Sequence, residues 1–252
     1  KPLFYPRMYD DLEVPGLFKI HGSYYLFGNI KEDIKVHYWK AEELMGNYEA
    51  FASNVLLPKG NYAVRITKVK ERYLVWNFYA DRNSEYRSTI LPPPTELKVD
   101  SVGKLYLTSY WKFSDKVKKR ISGSDLLPVH KVLGNSSADA DRKGNGVSLK
   151  SISGYEIFHL NTLATDFKLS FSLEMEGAGK AGLVFRSDDD ANGHFISLDV
   201  IHGLAQGRVW GQREQGGIEN AFIYKTIQGN RFPAIRNSSL KVELVIFGGY
   251  IE

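Results

Sequence analysis

The sequence contains no cysteine, so it can form neither a disulfide framework nor a thiolate metal site. It has no apolar run near the roughly 18 residues of a membrane-spanning helix, and no recognisable signal peptide. It also lacks a basic run. Its 33 Lys and Arg residues are interspersed with 29 Asp and Glu residues, whereas phosphate recognition needs clustered cations. The six histidines show no metal-ligand spacing. We therefore expect no nucleic-acid partner, no membrane partner and no metal.

Aromatic residues and glycine are what the sequence has in quantity. Phe, Trp and Tyr make up 13% of the chain, with 15 Tyr and 14 Phe, and there are 23 Gly. This composition favours strands and turns over helices. At 252 residues the chain is long enough for one large domain or two ordinary ones.

The first 117 residues have the pattern of short strands separated by turn signals, and the sequence leaves open a short helix or a turn at 41–45. Such a pattern is typical of an all-β sandwich, barrel or propeller. The predicted strands cover residues 16–20, 24–27, 34–39, 62–69, 72–79 and 103–108.

The character of the sequence changes at about residue 117. From 117 to 146 it is polar and rich in glycine, the composition of a linker, and we place a domain boundary at its start. Farther on, 167–175 and 240–246 alternate apolar and polar residues. Strands with one apolar face predict a sheet packed on a second sheet. We therefore predict a β-sandwich of jelly-roll type for 118–252.

Glu13 is the first candidate for chemistry. It stands where the chain enters a predicted hairpin of strands 16–20 and 24–27, which turns at His21-Gly22. Sites on all-β scaffolds collect their polar groups at strand ends that face a cavity. Desolvation by neighbouring Phe and Tyr rings would disfavour the ionised carboxylate, so we expect Glu13 to be able to act as a general acid. The alternative is a solvated loop glutamate.

Five short segments of the sequence are informative through their order and spacing along the chain. They are Leu12-Glu13-Val14-Pro15-Gly16-Leu17-Phe18, Gly60-Asn61-Tyr62-Ala63-Val64-Arg65, Trp76-Asn77-Phe78-Tyr79-Ala80-Asp81, Leu91-Pro92-Pro93-Pro94-Thr95-Glu96-Leu97 with Asp100 and Gly103-Lys104-Leu105, and Ala181-Gly182-Leu183-Val184-Phe185-Arg186 with Tyr250-Ile251-Glu252. In this order and spacing they resemble glycoside hydrolase family 32, whose enzymes cleave β-fructofuranosidic bonds in sucrose, inulin and levan. The first four resemble that family's Glu-Cys-Pro-Asp segment, its Gly-x-Tyr-Ala-x-Lys/Arg strand, its Trp-Gly-Trp-x-x-Glu segment, and its Leu-Pro-Arg-x-Leu and Asp-x-x-Gly-x-Leu segments. The fifth resembles its C-terminal sandwich.

The resemblance implies a fold and a reaction. The fold is the C-terminal part of a five-bladed β-propeller at 1–117, followed by the β-sandwich at 118–252. The reaction is hydrolysis of β-fructofuranosides with retention, by double displacement, with Glu13 as the general acid/base. A carbohydrate is the expected partner, no cofactor is expected, and a secreted or periplasmic location is the expectation.

Three further residues in the matched segments are candidates for substrate binding. Arg65 could hydrogen-bond sugar hydroxyls or supply a counter-charge to Glu13, and its alternative is an exposed or structurally paired arginine. Trp76 could stack on a sugar, and its alternative is a core tryptophan. Asp81 could orient Arg65 or a hydroxyl, and its alternative is a solvated aspartate.

The sequence also departs from that family. Val14 replaces the family's Cys, Gly16 replaces its Asp, and Pro58 stands where an acidic residue often precedes the Gly-x-Tyr-Ala segment. The tripeptides Asn-Asp-Pro and Arg-Asp-Pro, which carry the family's nucleophile and a second Asp, do not occur in the chain. We therefore expect an interior or C-terminal piece, truncated at both ends, that does not turn over alone. Its exposed edge strands should pair with the missing blades or with another copy. The alternatives are a non-catalytic carbohydrate-binding relative and a related propeller glycosidase that acts on arabinofuranosides or xylosides.

Overall fold

A computed structural model describes residues 3–4, 9–80, 89–162, 164–177, 179–215, 218–232 and 239–252, without the side chains of 212–223 and 225. Over these residues the secondary structure consists of strands and two short 3₁₀ helices, which confirms the prediction of an all-β chain. None of the helices in this described part has the length and apolar character that crossing a membrane requires. The chain divides into two compact units, Lys1–Lys116 and Val117–Glu252.

The first unit begins with a four-stranded antiparallel sheet in which each strand pairs with the next along the chain. Its strands are β1 (Leu12–Ile20), β2 (Ser23–Ile30), β3 (Lys35–Ala41) and β4 (Val55–Leu57). Between β1 and β2, His21 and Gly22 both have positive φ, 49° and 94°. Two positive φ values are what a type I′ turn needs to match the twist of a hairpin. The hairpin predicted at this turn is present, with longer strands than the sequence indicated.

A second antiparallel sheet completes the first unit, with the order β5-β6-β8-β9 and with β7 paired to β6. Its strands are β5 (Asn61–Val69), β6 (Arg72–Ala80), β7 (Thr89–Ile90), β8 (Thr95–Val99) and β9 (Leu105–Thr108). Prolines 92–94 fall between β7 and β8, because a residue without an N–H group cannot donate to the ladder. A 3₁₀ helix, Trp111–Lys116, follows β9. Small sheets of consecutive antiparallel strands are the building blocks of β-propellers.

The hairpins that open the two sheets have the same bulge in the first strand. We call residues 12–30 the first hairpin and residues 61–79 the second hairpin. The equivalent cross-strand pairs are Glu13–Asn29 with Tyr62–Phe78, and Gly16–Phe27 with Arg65–Trp76. In each hairpin the first strand advances three residues between these two pairs while its partner advances two. The extra residue in the first strand is a β-bulge. The residue after Glu13 and the residue after Tyr62 both take positive φ, 49° at Val14 and 58° at Ala63. The two hairpins therefore share one bulged geometry.

The main core of the first unit lies between its two sheets. Burial of the apolar area of these side chains is the principal stabilising term, and two buried phenols add polar links across the interface. Tyr25 Oη donates to the carbonyl of Gly103 at 2.9 Å, and the N–H of Leu105 donates to Tyr38 Oη at 3.1 Å. The buried members of this core are Ile20, Tyr25, Phe27, Val36, Tyr38, Leu56 and Leu57 from the first sheet and Val64, Ile66, Val75, Leu97 and Leu105 from the second.

The second unit contains two larger sheets, a four-stranded one with the order β15-β16-β17-β18 and a three-stranded one with the order β14-β19-β20. The strands are β14 (Phe167–Leu173), β15 (Ala181–Phe185), β16 (Gly193–Asp199), β17 (Leu204–Gln215), β18 (Ile218–Arg231), β19 (Leu240–Phe247) and β20 (Tyr250–Ile251). Phe185 from the four-stranded sheet packs with Leu244 and Ile246 from the three-stranded sheet in one apolar cluster. Two sheets joined by a shared apolar layer form a sandwich, as the alternation in the sequence predicted.

The prediction of a linker over 117–146 is wrong. This stretch includes a 3₁₀ helix (Gly123–Asp125), β10 (Pro128–Lys131) and β11 (Ala138–Lys143); β12 (Gly146–Ser151) and β13 (Phe158–Leu160) follow it. They form two-stranded ribbons, β10 with β13 and β11 with β12. Such ribbons expose most of their side chains, so no apolar alternation marks them. Residues 41–45 form the end of β3, bends and a turn, and not a helix.

Candidate active site

Glu13 lies on the bulge of β1. Its pairing partner across the hairpin is Asn29, and the register shifts between Glu13 and Gly16. Bulges often redirect a side chain next to functional sites, and Val14, a β-branched residue in the left-handed region, is a conformational outlier of the kind that clusters there. The Glu13 side chain is half-buried, so the alternative of a freely solvated glutamate does not describe it.

A phenol from the second hairpin contacts this carboxylate. Tyr62 Oη donates a hydrogen bond to Glu13 Oε2 at 3.0 Å. Tyr62 is the residue equivalent to Glu13 on the bulge of β5, so the two bulges meet through their corresponding side chains. No ion pair to Glu13 is present among the residues that the structure describes.

A buried amide fixes the two bulges relative to each other. Asn29, which is 2% exposed, accepts from the N–H of Ala63 at 2.9 Å through Oδ1 and donates to the carbonyl of Asn61 at 2.9 Å through Nδ2. These two backbone groups lie on either side of Tyr62. Asn77, 6% exposed, extends the network by donating to Asn61 Oδ1 at 2.7 Å. The position of the Tyr62 ring relative to Glu13 is thus set by buried hydrogen bonds, which are costly to break.

Such an arrangement suits proton transfer by one carboxyl group. Among the residues that the structure describes, the hydrogen bond from Tyr62 is made to Oε2 of this half-buried carboxyl. Groups of three or more His, Cys, Asp or Glu side chains suited to a metal do not occur in the described part of the chain. A carboxyl group oriented in this way could take part in acid/base chemistry.

The other predicted site residues are placed differently. Arg65 and Trp76 face each other across β5 and β6. Arg65 is exposed and donates from Nη1 to the carbonyl of Val64 at 2.8 Å, so it supplies no counter-charge to Glu13 in this structure. Trp76 is half-buried and occupies the position equivalent to Phe27, a core residue, which favours the alternative of a packing role. Asp81 lies outside the described residues.

Sequence reasoning missed Tyr62 and Asn29 as parts of the site. The signal that could have found them is the repeat of residues 12–30 in 61–79. That signal is weak, because the equivalent positions are identical only at Lys19 with Lys68 and Tyr24 with Tyr73.

Comparison with known proteins finds similar chains among the solved structures. No family model matches the chain, and no curated protein matches it. Among solved structures it is similar to the GH43 BlXynB protein from Bacillus licheniformis, with 11% identity and a TM-score of 0.34 over 94% of this chain and 52% of that one. It is also similar to GH43B of a Bacteroides ovatus xyloglucan PUL, with 12% identity and a TM-score of 0.32 over 94% and 54% of the two chains. This chain spans about half the length of these structures. Likenesses this low assign no family, and membership in family 32 stays a prediction.

Proposed function

We propose that this chain is part of a glycoside hydrolase-like protein in which Glu13 is the general acid/base. The observation that carries the proposal is the carboxyl of Glu13, half-buried on a bulge and hydrogen-bonded by Tyr62 Oη at 3.0 Å. A general acid must be held in one orientation and shielded in part from water while it protonates a leaving oxygen. The bulge and the buried network around Asn29 supply that orientation.

Glycosidic hydrolysis with retention needs a second carboxylate. One carboxylic acid protonates the leaving oxygen, and another carboxylate attacks the anomeric carbon and forms the glycosyl-enzyme that water then hydrolyses. Glu13 supplies the first role. If the parent protein supplies the second carboxylate, the whole is a retaining glycosidase, and we expect the present chain by itself not to turn over. The proposed substrates are β-fructofuranosides such as sucrose, inulin or levan, on the strength of the sequence segments described above.

One feature favours a second candidate, a carbohydrate-binding relative without catalysis. Val14 and Gly16 flank Glu13 where the resembled family has a cysteine and an aspartate, so the usual polar neighbours of the acid are missing. A binder would use Glu13 as a hydrogen-bond acceptor for a sugar hydroxyl, and the Glu13–Tyr62 pair would serve that role equally well.

The test is hydrolysis by the full-length protein that contains this chain, as wild type and as Glu13→Gln. The matched control is Glu71→Gln, because the Glu71 side chain is 95% exposed and lies at the turn between β5 and β6. Substrates are sucrose, inulin, levan, and aryl arabinofuranosides and xylosides with good and poor leaving groups. Removing a general acid costs roughly 10² to 10⁴ in rate, and the loss should be smaller for leaving groups that need no protonation.

The outcomes separate the candidates. Release of fructose by wild type, lost in Glu13→Gln and kept in Glu71→Gln, supports the fructosidase. Release of sugar only from arabinofuranosides or xylosides would assign the enzyme to those substrates in place of β-fructofuranosides. Binding of sugar without any release supports the non-catalytic relative. Equal rates for wild type and Glu13→Gln would show that Glu13 is not the acid.

A further inference from the structure

The β15–β18 sheet has an aromatic outer face. Its inner face carries Leu183, Phe185 and Ile196, which pack in the core of the sandwich. Since side chains alternate along a strand, the residues between these point away from the core. Phe195, Arg208, Trp210 and Tyr224 therefore share the outer face, where Trp210 stands opposite Tyr224 and Arg208 opposite Phe195.

Trp210 is the centre of this group. Its ring lies 5.3 Å from that of Tyr155, 5.2 Å from that of Phe195 and 5.4 Å from that of Tyr224, in each case edge to face. Trp210 itself is only 8% exposed, whereas Tyr155 and Tyr224 are 55% and 41% exposed. The cluster thus presents two tyrosine rings to the outside, both supported by one buried tryptophan.

A cation with unused donors lies beside these rings. The Arg208 guanidinium stacks on Tyr224, with Cζ 4.0 Å from the ring centroid, and Nη2 donates to Gln206 Oε1 at 2.6 Å. Its Nε–H is buried without an acceptor, and Arg208 forms no ion pair within the described residues. A buried donor without a partner needs an explanation, and an acceptor-rich ligand that draws the guanidinium into a new hydrogen bond provides one.

The exposed ring of Tyr155 is held in place before any ligand arrives. Its carbonyl accepts from Asn135 Nδ2 at 3.2 Å. The next residue, Glu156, accepts from the N–H groups of Leu133, Asn135 and Ile157 at 2.7–2.8 Å. Although partial burial raises the pKa of Glu156, these three N–H groups lower it below its ordinary value. With this backbone fixed and its ring against Trp210, Tyr155 loses less conformational entropy on binding than a free side chain would.

We propose that this outer face, centred on Tyr155, Trp210, Tyr224 and Arg208, binds a polysaccharide chain at a site separate from Glu13. A sugar has apolar C–H faces that pack on aromatic rings and hydroxyl oxygens that accept from arginine and glutamine, and pockets that pair rings with a few polar groups recognise ligands of that kind. Gln206 and Arg208 lie beside these rings, so the C–H face and the hydroxyl oxygens of one sugar residue can be contacted together.

The test is affinity gel electrophoresis of the whole chain in gels that contain inulin, levan, xyloglucan or glucuronoxylan. The variants are Tyr155→Ala and Tyr224→Ala. The matched control is Tyr106→Ala, because Tyr106 is 48% exposed but lies in the first unit. We expect retardation by at least one polysaccharide, weakened about tenfold by each of the first two changes, as for a central aromatic contact. Tyr106→Ala should bind as wild type.

Two results would overturn the proposal: no retardation in any of the four gels, or binding by Tyr155→Ala equal to that of wild type. Tyr155 is the deciding position, because an exposed residue outside the strands can be truncated without loss of the fold, which circular dichroism verifies. Glu13 is unchanged in Tyr155→Ala and Tyr224→Ala. Failure of the proposed function would therefore appear in the hydrolysis assay, and failure of the outer-face proposal would appear in the gels. Loss of binding in Glu13→Gln alone would assign the sugar to the first unit.

Discussion

The first and second hairpins share a bulge and differ in nearly every side chain. Both have a bulge with a positive-φ residue at the same step, yet the bulge presents a carboxylate, Glu13, in one and a phenol, Tyr62, in the other. The two groups then meet in a hydrogen bond of 3.0 Å. The repeated bulge sets where the two side chains meet, and the difference between the copies places a phenol against a carboxylate. Changes that remove the link between the copies should therefore cost more than changes within either copy.

The largest effect is expected from Asn29→Leu, which removes the amide that joins the hairpins. The N–H of Ala63 and the carbonyl of Asn61 would lose their partner in a buried place, at about 1–3 kcal/mol for each such group. We expect the unfolding free energy to fall by about 3 kcal/mol, measured by urea denaturation. Asn47→Ala, at an exposed position, is the control and should change it little. A loss below about 1 kcal/mol for Asn29→Leu would mean that the hairpins are held together by apolar packing alone.

The second effect is a response to alkaline pH at Tyr25 in the first hairpin. Burial, with the nearby Tyr38, Glu42 and Asp100, raises the pKa of Tyr25 to about 12, whereas the equivalent residue of the second hairpin is Leu74, which does not titrate. Because the folded-state pKa lies above the unfolded value of 10.0, the stability from Tyr25 is complete below pH 10.0 and is lost as the pH rises through about 12.

Tyr25→Phe tests this response. It should move the alkaline unfolding midpoint, followed by circular dichroism, to higher pH, and absorbance at 295 nm should show one late-titrating phenol fewer. The control is Tyr106→Phe, at an exposed position, which should remove a phenol of ordinary titration and leave the midpoint in place. If Tyr25→Phe leaves the midpoint unchanged as well, ionisation of Tyr25 does not limit alkaline stability.

The elements that sequence analysis found are those with local signals. The His21-Gly22 turn has a glycine where positive φ is required, and β14 and β19 alternate apolar and polar residues because one face of each is buried. Both signals reside in a few consecutive residues. The region 117–146 lacked them because its two-stranded ribbons bury little, and their strands were taken for a linker.

The site was only half visible in the sequence for a different physical reason. Glu13 stood out because it precedes a strong hairpin signal, but its partner Tyr62 is brought to it by packing between two sheets. The bulges give no glycine signal, since Val14 and Ala63 take positive φ without being glycine. Arg65 was expected near Glu13 from its place in a motif, and its guanidinium instead donates to the carbonyl of Val64. Contacts between elements follow from tertiary packing, which composition and spacing do not encode locally.

A smaller effect is expected when the bond between the two bulges is removed. Tyr62→Phe deletes the hydroxyl that donates to Glu13 Oε2 while it keeps the ring. Because Glu13 is half-buried, water can replace the hydroxyl, and we expect a loss of about 1 kcal/mol in the unfolding free energy. Tyr73→Phe, in the same hairpin, is the control and should change it less. In the full-length protein, Tyr62→Phe should also move the pH profile of hydrolysis. A profile identical to that of wild type would limit Tyr62 to a structural role.

The smallest effect on the unfolding free energy should come from substitution by glycine at the two bulges. The two substitutions, Val14→Gly and Ala63→Gly, should differ in their effect. An L-residue in the left-handed region is strained by roughly 1–2 kcal/mol, and a β-branched residue such as Val14 is strained more than Ala63. Glycine relieves the strain but adds about 0.5–1 kcal/mol of conformational entropy to the unfolded chain. Val14→Gly should therefore raise the unfolding free energy by about 0.5 kcal/mol, and Ala63→Gly should leave it nearly unchanged, both measured by urea denaturation. If the order is reversed, packing around Val14 outweighs its backbone strain, and the two bulges are equivalent in geometry but not in energy.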